Sequence, residues 1–89
     1  MNFKGIIKAI TPVQSITTKD NKMLQKVSML AETEERYPQS ITFDVINEDI
    51  QKDLPTVGMR VEVELNARAT EYHGKYYNNL RAWKINKIQ

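Results

Sequence analysis

The chain has 89 residues, which is enough for one small domain. It has no cysteine, which excludes both disulfides and thiolate metal sites. Its net charge of +2 is small. The sequence contains no run of about 20 apolar residues, the length that would span a membrane. The apolar N-terminal stretch does not resemble a signal peptide, because Lys4 and Lys8 interrupt it. We therefore expect one cytoplasmic domain over residues 1–89.

The first half of the chain predicts three strands. Residues 3–11 form the first strand, which ends at Pro12. The polar segment TPVQSITTKDNK predicts a loop. Apolar and polar side chains alternate over residues 23–33 and again over residues 41–45, where Phe43 faces the core. These two segments are the second and third predicted strands.

The second half predicts one short helix and two strands. Ile46, Ile50 and Leu54 are spaced four residues apart, which places them on one face of a helix. Residues 61–69 alternate between apolar and polar side chains and predict a fourth strand. After a turn, residues 75–88 predict a fifth.

Two opposing patterns occur in the fifth predicted strand. Leu80 and Ala82 indicate one inward face, whereas Trp83 and Ile85 indicate the other. A bulge, or burial on both faces, would satisfy both patterns. Trp83 fits the edge of the core slightly better than a binding face, and the sequence leaves its place open.

The predicted order is three strands, a short helix and two strands. This order is typical of an OB-fold, a five-stranded Greek-key β-barrel in the all-β class. An SH3-like barrel, which lacks a helix at that place, is the alternative architecture.

Two segments, ERYPQSITFDVINEDI and GMRVEVELNARATEYHGKYYNNLRAWKI, carry a family resemblance. They resemble a family of small uncharacterised bacterial domains related to the single-stranded DNA-binding proteins. The resemblance implies an OB-fold over about residues 3–88. It also implies that the hairpin of the fourth and fifth strands has a basic and aromatic tip.

Charge is distributed unevenly along the chain. The net charge is +4 over residues 1–26, −6 over residues 27–64 and +4 over residues 65–89. The basic segments contain the loops that flank the ligand face of an OB-fold, and the acidic segment is expected away from them. The candidate nucleic-acid-binding residues are Lys19, Lys22, Lys26, Arg68, Lys75 and Arg81 for phosphates, and Tyr37, Tyr72, Tyr76 and Tyr77 for bases.

Several other residues have more ordinary roles. Tyr76 and Tyr77 are consecutive and should point to opposite faces of a strand, so that one packs in the core. Lys4 and Lys8 should form ion pairs across the first and fourth strands. The single histidine, His73, precedes Gly74 in a turn and has no partner for a metal. We expect neither catalytic residues nor a metal or other cofactor.

The sequence thus predicts a module that binds single-stranded DNA, or RNA, by stacking and phosphate contacts with little sequence specificity. The alternative is a protein-interaction or oligomerisation module on the same fold, without nucleic-acid binding. In that case the aromatic hairpin would pack against a partner or a second copy. A homo-oligomer is compatible with both hypotheses.

Overall fold

The computed structural model describes residues 1–47, 50 and 54–88. Six strands form in this part of the chain: β1 (Asn2–Ile10), β2 (Gln14–Thr17), β3 (Met23–Glu32), β4 (Ser40–Ile46), β5 (Arg60–Tyr72) and β6 (Lys75–Ile88). The five predicted strands are confirmed as β1, β3, β4, β5 and β6. Ile46, which the spacing placed on the face of a helix, is the last residue of β4 instead. Most of the rest of the predicted helix lies outside the described residues and stays a prediction.

The strands form one sheet whose hydrogen-bonded pairs close into a ring. The order is β1–β5–β6–β4–β3, and β3 also pairs with β1. Four of the ring contacts are antiparallel, while β4 and β6 run parallel and pair Asp44 with Arg81. The all-β class is therefore confirmed for the described residues.

Strand β2 lies inside the segment predicted to be a loop, and that prediction is wrong for residues 14–17. Residues 14–17 pair with residues 23–26 of β3 as an antiparallel hairpin. The turn between them is held by a hydrogen bond from Thr18 N to Lys22 O of 2.8 Å, with Asn21 at φ 57°. The polar composition hid this strand because β2 is exposed along its whole length and buries no apolar side chain.

The core lies inside the ring and is built from alternating residues. Ten side chains of the described residues form this core cluster: Ile7, Val27, Met29, Ala31, Phe43, Val45, Val61, Val63, Leu65 and Ala82. The predicted alternation of β3 and β4 is confirmed. In β5, however, the predicted inward alternation stops at Leu65, because β1 pairs only with residues 60–64 of that strand.

A bulge at Trp83 explains the two opposing patterns of β6. Glu64 pairs with Lys84 and Leu65 pairs with Ala82, so that Trp83 is the extra residue. Before it Leu80 and Ala82 face inward, and after it Ile85 pairs with buried Val63. One of the two predicted solutions, the bulge, is thus confirmed. Trp83 is 51% exposed, so it is not a core residue.

The ion pair predicted for Lys4 across the first and fourth predicted strands is present, whereas Lys8 lies beyond the residues of β1 that pair with β5. Lys4 pairs in register with Glu62, and its Nζ lies 3.2 Å from Glu62 Oε2. Both side chains point away from the core at a place remote from the β5–β6 turn.

Gly5 lies where β1 approaches β3 and β5 together. It pairs in register with Val61, and a Cβ atom built on it would collide with the backbone carbonyl of Glu32. We expect Gly5→Ala to lower the free energy of unfolding by about 1–3 kcal/mol, since backbone must shift to admit the methyl group. Chemical denaturation measures this change.

Gly58 provides the control for this substitution. A Cβ built there meets no atom within 4 Å, but its φ of 94° makes any side chain strained. Gly58→Ala therefore reports the cost of backbone conformation without a collision. An unchanged midpoint of denaturation in Gly5→Ala would contradict the close approach of β1 and β3.

Candidate nucleic-acid interface

The β5–β6 hairpin extends beyond the ring as an arm. We call residues 66–79 the hairpin arm. Within it Asn66–Tyr72 and Lys75–Asn79 are the strand segments, and every residue is exposed. The arm turns at His73 and Gly74, which have φ values of 51° and 77°. Two successive positive φ values are typical of a tight hairpin turn, and the predicted turn at these residues is confirmed.

The register of the arm divides its side chains between two faces. Opposed residues of an antiparallel pair point to the same side of a sheet, and the buried pair Leu65–Ala82 identifies the inner side. The inner face carries the pairs Ala69–Asn78 and Glu71–Tyr76 and, where the arm joins the ring, Ala67, which pairs with Leu80 just outside the arm. The outer face carries the pairs Arg68–Asn79, Thr70–Tyr77 and Tyr72–Lys75.

Four of the predicted binding residues therefore share the outer face of the arm. Arg68 and Lys75 supply positive charge, and Tyr72 and Tyr77 supply aromatic rings that are 65% and 49% exposed. The ring of Tyr72 contacts that of His73 edge to face, with 4.1 Å between their centroids. This contact helps to hold the Tyr72 ring at the tip of the arm.

Tyr76 is separated from these residues. It lies on the inner face opposite Glu71 and is 75% exposed. The prediction that Tyr76 and Tyr77 point to opposite faces is confirmed. The prediction that one of them packs in the core is wrong, because the arm extends past the ring, where there is no core to receive it.

The outer face of the arm continues onto the sheet. Arg81 of β6 points outward beside Asp44 of β4, and Lys26 of β3 points outward opposite Ile46. Asp44 Oδ1 accepts a hydrogen bond of 2.7 Å from the Ser28 hydroxyl. Asp44 is an acidic residue on this surface, because the alternation that buries Phe43 and Val45 turns it outward.

The β2–β3 hairpin and the arm lie at opposite ends of this surface. The hairpin is attached where Lys26 pairs with Ile46, the last residue of β4. The arm extends past the start of β4, because β6 runs parallel to β4 and residues 75–79 precede Arg81. Lys19 and Lys22 are exposed at the turn of the β2–β3 hairpin. The predicted cations are thus divided between the two ends.

Tyr37 lies in the loop between β3 and β4, which Glu34 joins to Arg60 at the start of β5. It is 77% exposed, and the guanidinium of Arg36 lies 5.5 Å from its ring centroid. Hydrogen bonds of 2.9 Å from Thr33 N to Gln39 O and from Gln39 N to Thr33 Oγ1 close the loop. Arg36 is a cation that was not among the predicted phosphate-binding residues, although its place next to Tyr37 in the sequence could have indicated it.

Glu34 and Arg60 form an ion pair outside this surface. Glu34 accepts two hydrogen bonds from Arg60, of 2.6 Å and 3.0 Å. These bonds lower the pKa of Glu34 below its usual value and raise that of Arg60. The pair ties the loop before β4 to the start of β5. No group of three metal-binding side chains occurs in the part of the chain that the structure describes.

Comparison with known protein families finds one family model that matches the chain. A family model described as a domain of unknown function, DUF3127, matches residues 2–86. The chain belongs to the DUF3127 family. This agrees with the resemblance to a family of small uncharacterised domains, while the relation to single-stranded DNA-binding proteins stays a prediction. No curated protein and no solved structure matches the chain.

The described residues contain no helix that is long and apolar enough to cross a membrane.

Proposed function

We propose that this DUF3127 domain is an OB-fold protein that binds single-stranded nucleic acid in the cytoplasm, with little sequence specificity. DNA is the preferred ligand and RNA is the other candidate. The observation that carries the proposal is the outer face of the hairpin arm, where two exposed tyrosines and two cations lie together.

The topology supports the OB-fold assignment. Five strands close a ring in the order β1–β3–β4–β6–β5. In an OB-fold, ligands bind on the face of the second and third strands, between the first loop and the hairpin of the last two strands. The corresponding places in this chain are the outward sides of β3 and β4, the β2–β3 hairpin and the hairpin arm.

The side chains at these places suit an unpaired strand. A base must be free of its partner to stack on Tyr72 or Tyr77, whereas the bases of a duplex are already stacked on each other. Lys26, Arg68 and Lys75 can contact phosphates without reading the bases. Preference for single strands and tolerance of sequence both follow from this combination.

Fluorescence anisotropy with a labelled oligo-dT tests the proposal. We expect binding that weakens as salt rises, because cations on the protein displace counterions from the phosphates. Three neutralised phosphates would give a slope of about −2 in a plot of log K against log salt, and the β2–β3 hairpin would steepen it.

A duplex of equal length and an oligo-U of equal length are the matched ligands. The duplex should bind more weakly than oligo-dT, and oligo-U distinguishes DNA from RNA preference. Absence of binding to all three ligands at tens of micromolar protein in low salt would refute the proposed function.

A further inference from the structure

Trp83 is the one tryptophan of the chain, and the fold leaves 51% of it exposed. The bulge makes it the extra residue of β6, so that it opposes no residue of β5. It follows buried Ala82 and precedes Lys84, which pairs with Glu64 on the outer side of the sheet. The side chain of Trp83 therefore lies on the outer side as well. Bulges often redirect a side chain next to a functional site.

Trp83 continues the outer face of the hairpin arm along the same strand. Tyr77, Asn79 and Arg81 face outward at two-residue spacing, and Trp83 is the next outward side chain. Six residues at about 3.3 Å each place Trp83 about 20 Å from Tyr77 along β6. This row of side chains thus has an exposed aromatic ring at each end and Arg81 between them.

The position of Trp83 is toward the end of the surface where the β2–β3 hairpin is attached. Strand β6 runs parallel to β4, and Arg81 pairs with Asp44. Two residues further along each strand are Trp83 and Ile46, and Ile46 pairs with Lys26 of β3. An aromatic ring and a cation therefore occur at this end of the surface as well as in the arm.

The charges beside Trp83 suit a base better than a phosphate. Lys84 and Glu64 oppose each other across β6 and β5, so their charges offset each other next to the tryptophan. Glu64 Oε1 also accepts a hydrogen bond of 2.6 Å from the side-chain amide of Asn2. A phosphate gains little from this pair of charges, whereas the flat face of a base can cover the exposed indole.

We propose that Trp83 stacks on a base of the bound strand and is a second aromatic platform, separate from that of the hairpin arm. This inference rests on the proposed function and extends its site along β6. A strand that follows this row passes Arg81 and reaches the end where Lys26 lies. Its bases stack on Tyr77 at one end and on Trp83 at the other. Stacking of this kind tolerates any sequence, because every base has a π face.

Tryptophan fluorescence tests this contact in the wild-type chain, because Trp83 is the only source of the signal. We expect unlabelled oligo-dT to quench the emission over the same concentration range in which anisotropy detects binding. Acrylamide should quench the emission less in the complex than in the free chain, because a stacked base covers the exposed indole. The mononucleotide dTMP at equal thymine concentration is the control for light that the ligand absorbs.

Substitution of Trp83 gives a second, independent readout. Trp83→Ala should weaken the binding of oligo-dT by roughly 5- to 150-fold, the loss of one stack. Trp83→Phe keeps an aromatic ring and should recover most of that loss. The salt slope should stay unchanged in both variants, since no cation is removed. Circular dichroism should show the wild-type fold, because the side chain lies outside the core.

Ile88→Ala is the control for loss of an exposed apolar side chain from the same strand. Ile88 is 40% exposed and pairs with Arg60, five residues beyond Trp83. This variant should bind oligo-dT within about twofold of the wild-type affinity, the order of a surface change outside the site. Equal losses in Ile88→Ala and Trp83→Ala would contradict a specific stack on Trp83.

Anisotropy and tryptophan emission separate this inference from the proposed function. If anisotropy detects the complex but emission and acrylamide quenching stay unchanged, Trp83 does not stack and the proposed function still stands. Full affinity in Trp83→Ala would overturn the inference in the same way. Absence of any binding in anisotropy would remove the proposed function and this inference together.

Discussion

Replacing Tyr77 with alanine is expected to weaken the binding of oligo-dT by roughly 5- to 150-fold, because one aromatic stack contributes about 1–3 kcal/mol. Tyr77 is 49% exposed on the outer face of the hairpin arm, opposite Thr70 and near Arg68. Anisotropy at one fixed salt concentration measures the change. The salt slope should stay as in the wild-type chain, since no cation is lost.

Tyr76→Ala is the control that the chain itself offers. The two tyrosines are adjacent in sequence and similar in chemistry, but Tyr76 lies on the inner face and is 75% exposed. Its replacement should leave the affinity for oligo-dT within about twofold of the wild-type value, the order of a surface change outside the site. Equal losses in both variants would contradict the division of the arm into two faces.

Replacing Phe43 with alanine is expected to lower the free energy of unfolding by about 3–5 kcal/mol. Phe43 is 1% exposed and is among the largest fully buried side chains in the core of the described residues. A domain of this size has a thin core and a total stability of about 5–15 kcal/mol. The variant should therefore unfold at a much lower concentration of denaturant.

Two further variants make this test specific. Phe43→Leu keeps most of the apolar volume and should cost about 1–2 kcal/mol. Ile46→Ala removes a partly buried side chain from the outward side of the same strand and should cost about 1 kcal/mol. If Phe43→Ala were no more harmful than Ile46→Ala, the assignment of the inward face of β4 would be wrong.

The strands and most of the core could be predicted because alternating apolar side chains indicate the buried face of a strand. Val27, Met29 and Ala31 alternate with polar neighbours, and the structure buries them. The same rule fails for Ala67 and Ala69, which are exposed. Alternation shows which residues share a side of a strand, but the length of the neighbouring strand decides where the core ends. Here β1 stops pairing at Glu64.

The candidate site could be predicted as a set of residues but not as a surface. The sequence singles out three tyrosines close to His73 and Gly74, and only the cross-strand register shows that Tyr72 and Tyr77 share a face without Tyr76. The place of Arg81 beside Asp44 depends on the parallel pairing of β4 with β6. Contacts between residues distant in sequence leave no local signal.

The two-residue period of a strand limits how the hairpin arm can vary in length. The bulge at Trp83 lies inside the ring, and the half of β6 inside the ring and the half in the arm follow separate frames of alternation. Adding one residue to each strand of the arm would exchange its two faces beyond the insertion, whereas adding two to each would preserve them and lengthen the arm by about 7 Å. Insertions and deletions that keep the tyrosines with the cations should therefore come in twos.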